Sequence, residues 1–107
     1  MLEAIALIQE YCHDVTEVQF SQNLQLQDAV IRRLQIIGEA AGKIPQELRD
    51  KFSTVSWKKI VAFRNLIIHD YASIKFSEVW RVSQEELPVL QSQLEQVKID
   101  LEKNGQK

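Results

Sequence analysis

Glycine and proline, three and two residues of 107, are too scarce to punctuate a turn-rich β fold. No Val- and Thr-rich alternating run, Asn-Gly hairpin or internal repeat supplies one either. The single cysteine, Cys12, excludes an internal disulfide and a thiolate zinc site, and it fits a reducing compartment as a core thiol. No stretch approaches the ~18 apolar residues of a membrane span. The N-terminal run MLEAIALIQEYCHD is interrupted by Glu3, Gln9 and Glu10 and lacks the basic start and unbroken apolar core of a signal peptide, so the expected location is the cytoplasm. A net charge of -2 and a pI near 5.7 exclude a nonspecific polyanion binder; any nucleic acid must meet a local site. What remains, 45% hydrophobic and 26% charged, suits one domain over residues 1–107 with one core. A chain this short buries a modest share of its surface, so a leftover apolar helix face would favour a homodimer.

Helical rhythm fills the chain. Leu2, Ile5, Ile8, Cys12, Val15 and Val18 form one stripe, which predicts a first helix ending near Phe20. Ser21 to Asn23 supplies caps for a long second helix carrying Leu26, Val30, Leu34, Ile37 and Ala41. Within it the run IGEAA, residues 37–41, has a glycine and alanines that let another backbone approach closely, so a neighbouring helix is expected to cross there. Pro45 fits the first position of a short helix, PQELRDKF, and Ser53 to Ser56 offers caps before WKKIVAFRNLIIH. A last helix runs from Ser77 through Leu101, kinked or split by Pro88, with a frayed tail after Glu102. The predicted fold class is all-α, an up-and-down helical bundle.

Chemistry concentrates in RNLIIHDY, residues 64–71. The two histidines, His13 and His69, are far apart, and no HxxxH, HExxH or CxxC spacing exists, so no metal site is expected. Three scattered glycines cannot build a phosphate-cradling loop, and no cofactor is expected. On a continuous helix Asn65 and His69 share a face, while Arg64 lies roughly 100° around from Asn65. If the helix unwinds near His69, the imidazole turns toward Arg64 and an arginine, an amide and a histidine surround one small space. Such a trio can cleave RNA without metal. A histidine side chain, with an ordinary pKa of ~6.5, can take the 2′-OH proton or give one to the leaving 5′-oxygen. An arginine holds the phosphate bidentately and stabilises its developing charge. Asn65 could orient the phosphate or the histidine, and the products would be a 2′,3′-cyclic phosphate and a 5′-OH. Spacing alone leaves the plainer alternatives open: a helix-terminal histidine as a dipole partner, and an arginine in a surface ion pair.

RNLIIHDY matches an Arg-x4-His-x-Tyr signature and resembles the HEPN superfamily, in particular HepT-like ribonuclease toxins. DAVIRRLQIIGEAAGKIP at 28–45, the stretch from Trp57 to Tyr71, and EVW at 78–80 resemble further blocks of that family. The resemblance implies a homodimeric helical bundle with both motifs facing one composite cleft, and metal-independent endoribonuclease activity on cellular RNA, tRNA or mRNA. It implies Arg64 and His69 as catalytic residues, with Asn65 beside the arginine. It further implies the toxin role in a type VII-like toxin-antitoxin pair. The partner that the resemblance implies is a minimal nucleotidyltransferase antitoxin adenylylating Tyr71, which would add negative charge where an RNA phosphate would sit. Relatives of this kind carry further residues ahead of the first stripe.

Second-rank residues complete the reading. Glu39, in an apolar stretch, could pair with Arg64, orient His69, join an ordinary salt bridge or sit at a dimer interface. Asp70, at odds with phosphate binding, reads as a helix-end or turn residue. Trp57 and Trp80 lie in apolar stripes and count as core rather than base-stacking platforms. Arg32 with Arg33 and Lys58 with Lys59 read as solvent-facing pairs. The alternative function is a noncatalytic dimeric interaction module that binds a nucleotidyltransferase.

Overall fold

The computed structural model describes residues 1–105, and every regular element among them is helical. The chain folds as α1 (Leu2–Tyr11), α2 (Glu17–Ser21), α3 (Leu24–Gly42), α4 (Gln46–Lys51), α5 (Trp57–His69), a 3-10 turn (Tyr71–Ser73), α6 (Phe76–Arg81), a π segment (Val82–Glu86) and α7 (Leu87–Gly105). Its extents of 50 × 30 × 17 Å make a slab about two helices thick, given the ~10 Å helix diameter. Among the described residues no helix is long and apolar enough to cross a membrane.

The first stripe does not give one helix to Phe20. It gives two, because α1 ends at Tyr11 and Asp14 takes a left-handed backbone, φ 59°, a conformation that aspartate tolerates better than most residues. Thr16 then starts α2 through a capping box: its hydroxyl accepts from Gln19 N while its own N–H donates to Gln19 Oε1. Asn23 caps α3 as expected, its Oδ1 accepting from Leu26 N at 3.0 Å. Pro45 occupies the residue before α4 rather than its first turn, and Ser56 precedes α5 without a side-chain cap bond.

The last predicted helix is neither cleanly kinked nor cut. Pro88 has no N–H to donate to the Gln84 carbonyl and its ring crowds that group, and the chain widens into a π turn over Val82–Glu86 immediately before it. Helix α7 continues past Glu102, where the frayed tail is expected, to Gly105; Gln106 and Lys107 lie outside the described residues.

Helix α3 is the hub, packing against α1, α2, α5 and α6. Its buried Val30, Leu34, Ile37 and Ala41 meet Ile5 and Ile8 of α1, Phe20 of α2, Ile67 of α5 and Val79 of α6 in one core. Burying such aliphatic and aromatic side chains, at about 1.5–3 kcal/mol each, is what holds short helices that could not stand alone. Trp80 tilts against Phe20 with ring centroids 5.2 Å apart, and buried Trp57 donates its indole N–H to Phe52 O at 3.1 Å, so both tryptophans serve the core. Cys12 is a buried free thiol whose pKa is pushed up by burial, offset in part by a hydrogen bond with Ser83.

Candidate active site

Helix α5 delivers Arg64, Asn65 and His69, and its relation to α3 decides how. Gly38 of α3 faces Arg64 so closely that a Cβ built on Gly38 would lie 2.1 Å from Arg64 Cβ and 2.7 Å from its Cγ. The close crossing expected at IGEAA is therefore made by α5, and the absent side chain is filled by the arginine stem. The guanidinium ends half-buried: Nη1 donates to Asn65 Oδ1 at 3.1 Å, while Nε is enclosed with no hydrogen-bond partner. No ion pair to Arg64 occurs among the described residues. A half-buried cation with an unanswered donor is a group waiting for an acceptor.

His69, the last residue of α5, is exposed. The unwinding that would swing its imidazole toward Arg64 does not occur, because the backbone ladder stays intact through Asp70 N, which donates to Leu66 O at 2.9 Å. Five residues along an unbroken helix place His69 roughly 7.5 Å up the axis and ~140° around from Arg64. Asn65, four residues from His69, shares its side of the helix, and its Oδ1 accepts from Arg64.

The chain leaves the helix at Asp70, whose φ of -148° breaks the ladder. Asp70 is a turn residue, as expected: its Oδ2 accepts from Ser73 Oγ at 2.8 Å and its carbonyl accepts from Ser73 N at 3.0 Å. Tyr71 opens that turn 51% exposed. Its hydroxyl donates to Asp28 Oδ1 of α3 at 2.8 Å, across 43 residues of sequence. That hydrogen bond, followed by partial burial and the charge of Asp28, raises the phenol pKa.

Glu39 takes none of the roles near the motif. Its Oε1 accepts from Gln35 Nε2 at 3.3 Å and lies 4.0 Å from Arg32 Nη1, so its place is in a surface cluster along α3, an ordinary ion pair rather than a partner of Arg64 or His69. Of the dibasic steps, Arg32 is thereby engaged by Glu39.

Two hollows flank the motif. One of about 470 Å³, between α3 and the end of α5, has Asp28, Arg32, Gln35 and Tyr71 on its walls. The other, about 540 Å³ and more apolar, runs between α5 and the α6–α7 arm past Phe63, Leu66, Val89 and Leu90. At its edge Arg81 is ringed by Glu78, Glu85 and Glu86; the Arg81 hydrogen bond holds the Glu78 carboxyl below its ordinary range. Among the described residues no three His, Cys, Asp or Glu side chains gather into a metal-sized group.

Sequence reading missed Asp28, because nothing in a lone carboxylate on a helix reveals that a turn 43 residues later will reach it. It foresaw the close approach at Gly38 but not that Arg64 would fill it.

The family profile described as ribonuclease HepT-like matches residues 1–97. A Methanocaldococcus jannaschii protein provisionally named an RNase is 36% identical over 95 residues, covering 89% of this chain and 87% of the relative. A probable ribonuclease HepT of Thermococcus cleftensis is 31% identical over 96 residues, covering 90% and 87%. Another M. jannaschii protein, named as a gamma-glutamylcyclotransferase and, provisionally, an RNase, is 38% identical over 104 residues; the match takes 97% of this chain but 47% of that longer relative, so the chain spans about half its length. No solved structure matches the chain. With the profile covering nearly its whole length and relatives aligned over most of both partners, the chain belongs to the HepT-like ribonuclease family.

Proposed function

We propose that the chain is a metal-independent endoribonuclease, the toxin half of a toxin-antitoxin pair, whose working site forms where two copies meet. The observation that carries the reading is Arg64: a half-buried guanidinium, stem held against Gly38, Nε unpartnered, with no ion pair among the described residues. An RNA phosphate would be met by the terminal guanidinium amines, since Nε itself is enclosed, and charge-assisted bonds from them strengthen as the phosphorane charge develops.

His69 is the proton carrier, exposed at the helix end where a ribose could reach it. It takes the 2′-OH proton as that oxygen attacks phosphorus, or protonates the departing 5′-oxygen, and the products are a 2′,3′-cyclic phosphate and a 5′-OH. Because Arg64 and His69 sit ~140° apart on one unbroken helix, one copy alone does not aim both at the same phosphate. A second copy would bring its own histidine, so that one serves as base and another as acid. The thin slab and the apolar hollow beside α5, with Leu66 41% exposed on its wall, support pairing through this face.

Tyr71 is the off switch: exposed and at the motif's edge, it is placed to receive AMP from a nucleotidyltransferase partner, whose phosphate charge and nucleoside would keep RNA from the site.

The decisive experiment is RNA cleavage by the purified protein beside its Arg64→Ala and His69→Ala variants, with a chelator present. Each variant should lose at least ~10²-fold in rate, the contribution of a positioned acid-base group. Hybrid dimers of the wild type with His69→Ala should cleave far more slowly than the wild type, since their cleft holds one histidine where base and acid call for two. Equal cleavage by all three proteins would remove the site assignment, and cleavage by none of them would leave the binding-module reading.

A further inference from the structure

We propose that Asp28 is the catalytic base for nucleotidyl transfer to Tyr71, so that the toxin supplies the proton acceptor for its own inactivation. The inference rests on the reading of Tyr71 as the modified residue. Its ground is geometric: Asp28 Oδ1 accepts the Tyr71 hydroxyl hydrogen at 2.8 Å, and the phenol is 51% exposed, so the reacting oxygen is already paired with a carboxylate while open to a nucleotide. Asp28 is exposed, and among the described residues no cation pairs with it; Arg32, one helical turn on, leans instead toward Glu39 at 4.0 Å.

The surroundings fit a nucleoside triphosphate. The hollow of about 470 Å³ beside Tyr71 is lined by Arg32 and Gln35, a cation and an amide, from α3 and by Ile67 and Ile68 from α5. Phosphate oxygens would find the guanidinium, and a base or ribose the amide and apolar floor.

The step balances as follows. A lone pair of Tyr71 Oη attacks the α-phosphorus of ATP and the Oη–P bond forms. The bond from the α-phosphorus to the oxygen bridging to the β-phosphate breaks, and pyrophosphate leaves with that electron pair. The phenolic proton passes to Asp28 Oδ1 and from there to water. A neighbouring carboxylate disfavours a preformed phenolate, so the proton must move as the new bond forms, and this is the work of a general base.

A merely structural hydrogen bond makes a different prediction, and Asp28→Asn separates the two. The amide oxygen keeps the acceptor for Tyr71 but cannot take its proton. The full-length protein, its Asp28→Asn and Tyr71→Phe variants are each incubated with ATP and the co-expressed cognate nucleotidyltransferase, and AMP additions are followed by intact mass. Expected is no addition on Tyr71→Phe and, on Asp28→Asn, a rate lower by about 10²-fold. The deficit should shrink as pH rises toward the phenol range near ~10, where tyrosine ionises without help. Modification of Asp28→Asn at the wild-type rate overturns the proposal while Tyr71 stands. AMP addition that persists on Tyr71→Phe, or none on the wild type, overturns the reading of Tyr71 and this inference with it. Thermal melting of Asp28→Asn, a change at an exposed position, checks that the fold is retained.

Discussion

Gly38→Ala tests the contact on which the site depends. A methyl at Gly38 would start 2.1 Å from Arg64 Cβ, and ordinary contact begins at 3.4 Å, so the two helices must part by about 1.3 Å at that point. Neither atom can rotate away, since each is a Cβ fixed to its backbone. The Ile60 carbonyl, 3.3 Å from the new methyl, blocks a sideways escape. Helix propensity favours alanine by ~1 kcal/mol, but overpacking of a closed interface costs ~1–3 kcal/mol and, with no flexible neighbour to yield, falls at the upper end. The balance is a destabilisation of about 1–2 kcal/mol, each kcal/mol lowering Tm by about 4–8 °C in a domain of this size. Cleavage should fall further than stability, because a ~1 Å displacement of a positioning group can cost ~10²-fold in rate. Thermal melting and single-turnover RNA cleavage well below Tm read the two effects separately. Gly42→Ala is the control: nothing lies within 4 Å of its Cβ, so the same substitution there should be neutral or stabilising. A Gly38→Ala protein that melts at or above the wild-type temperature and cleaves at the wild-type rate would refute the argument.

Two further outcomes follow from other parts of the molecule. The Cys12 thiol is held above its unfolded value by burial, so its contribution is complete below the unfolded pKa of ~8.5 and is lost as pH rises through the native one. Tm should therefore fall on going from neutral to alkaline pH, and less steeply in Cys12→Ala; an identical slope in the two proteins would show that the thiol does not titrate with folding. Arg81→Gln leaves Glu78, Glu85 and Glu86 clustered without their cation, and the loss of stability should be slight because all four groups face solvent. Melting at low and high salt checks it, and a difference that persists undiminished in ~1 M salt would mean packing rather than charge is at stake.

The apolar stripes, Asn23 as a cap and the breaks around Pro45 and Ser56 are legible in the sequence, because helix periodicity and capping act over a few residues. The capping box from Thr16 to Gln19 was equally local, yet a stripe that continues through Cys12, Val15 and Val18 hides it: an apolar rhythm does not record a turn whose residues happen to keep the phase. The π turn ahead of Pro88 is a compromise that Pro88 demands but does not specify, since a kink or a break would also have satisfied the ring.

For the site, the sequence by itself determined the residue types and their order: an arginine, an amide and a histidine along one helix, a tyrosine just beyond it, and a glycine placed for a close crossing. Only the tertiary structure decided what each one meets. The crossing of α3 and α5 put the Arg64 stem on Gly38 and left its Nε without a partner, and the intact ladder to Asp70 kept His69 turned away from it. The turn at Tyr71 reached back to Asp28, and Glu39 went to Arg32. The division has a physical cause. Propensity, capping and periodicity are written in neighbouring residues, whereas a contact spanning tens of residues depends on how every intervening helix packs, and no local pattern carries that information.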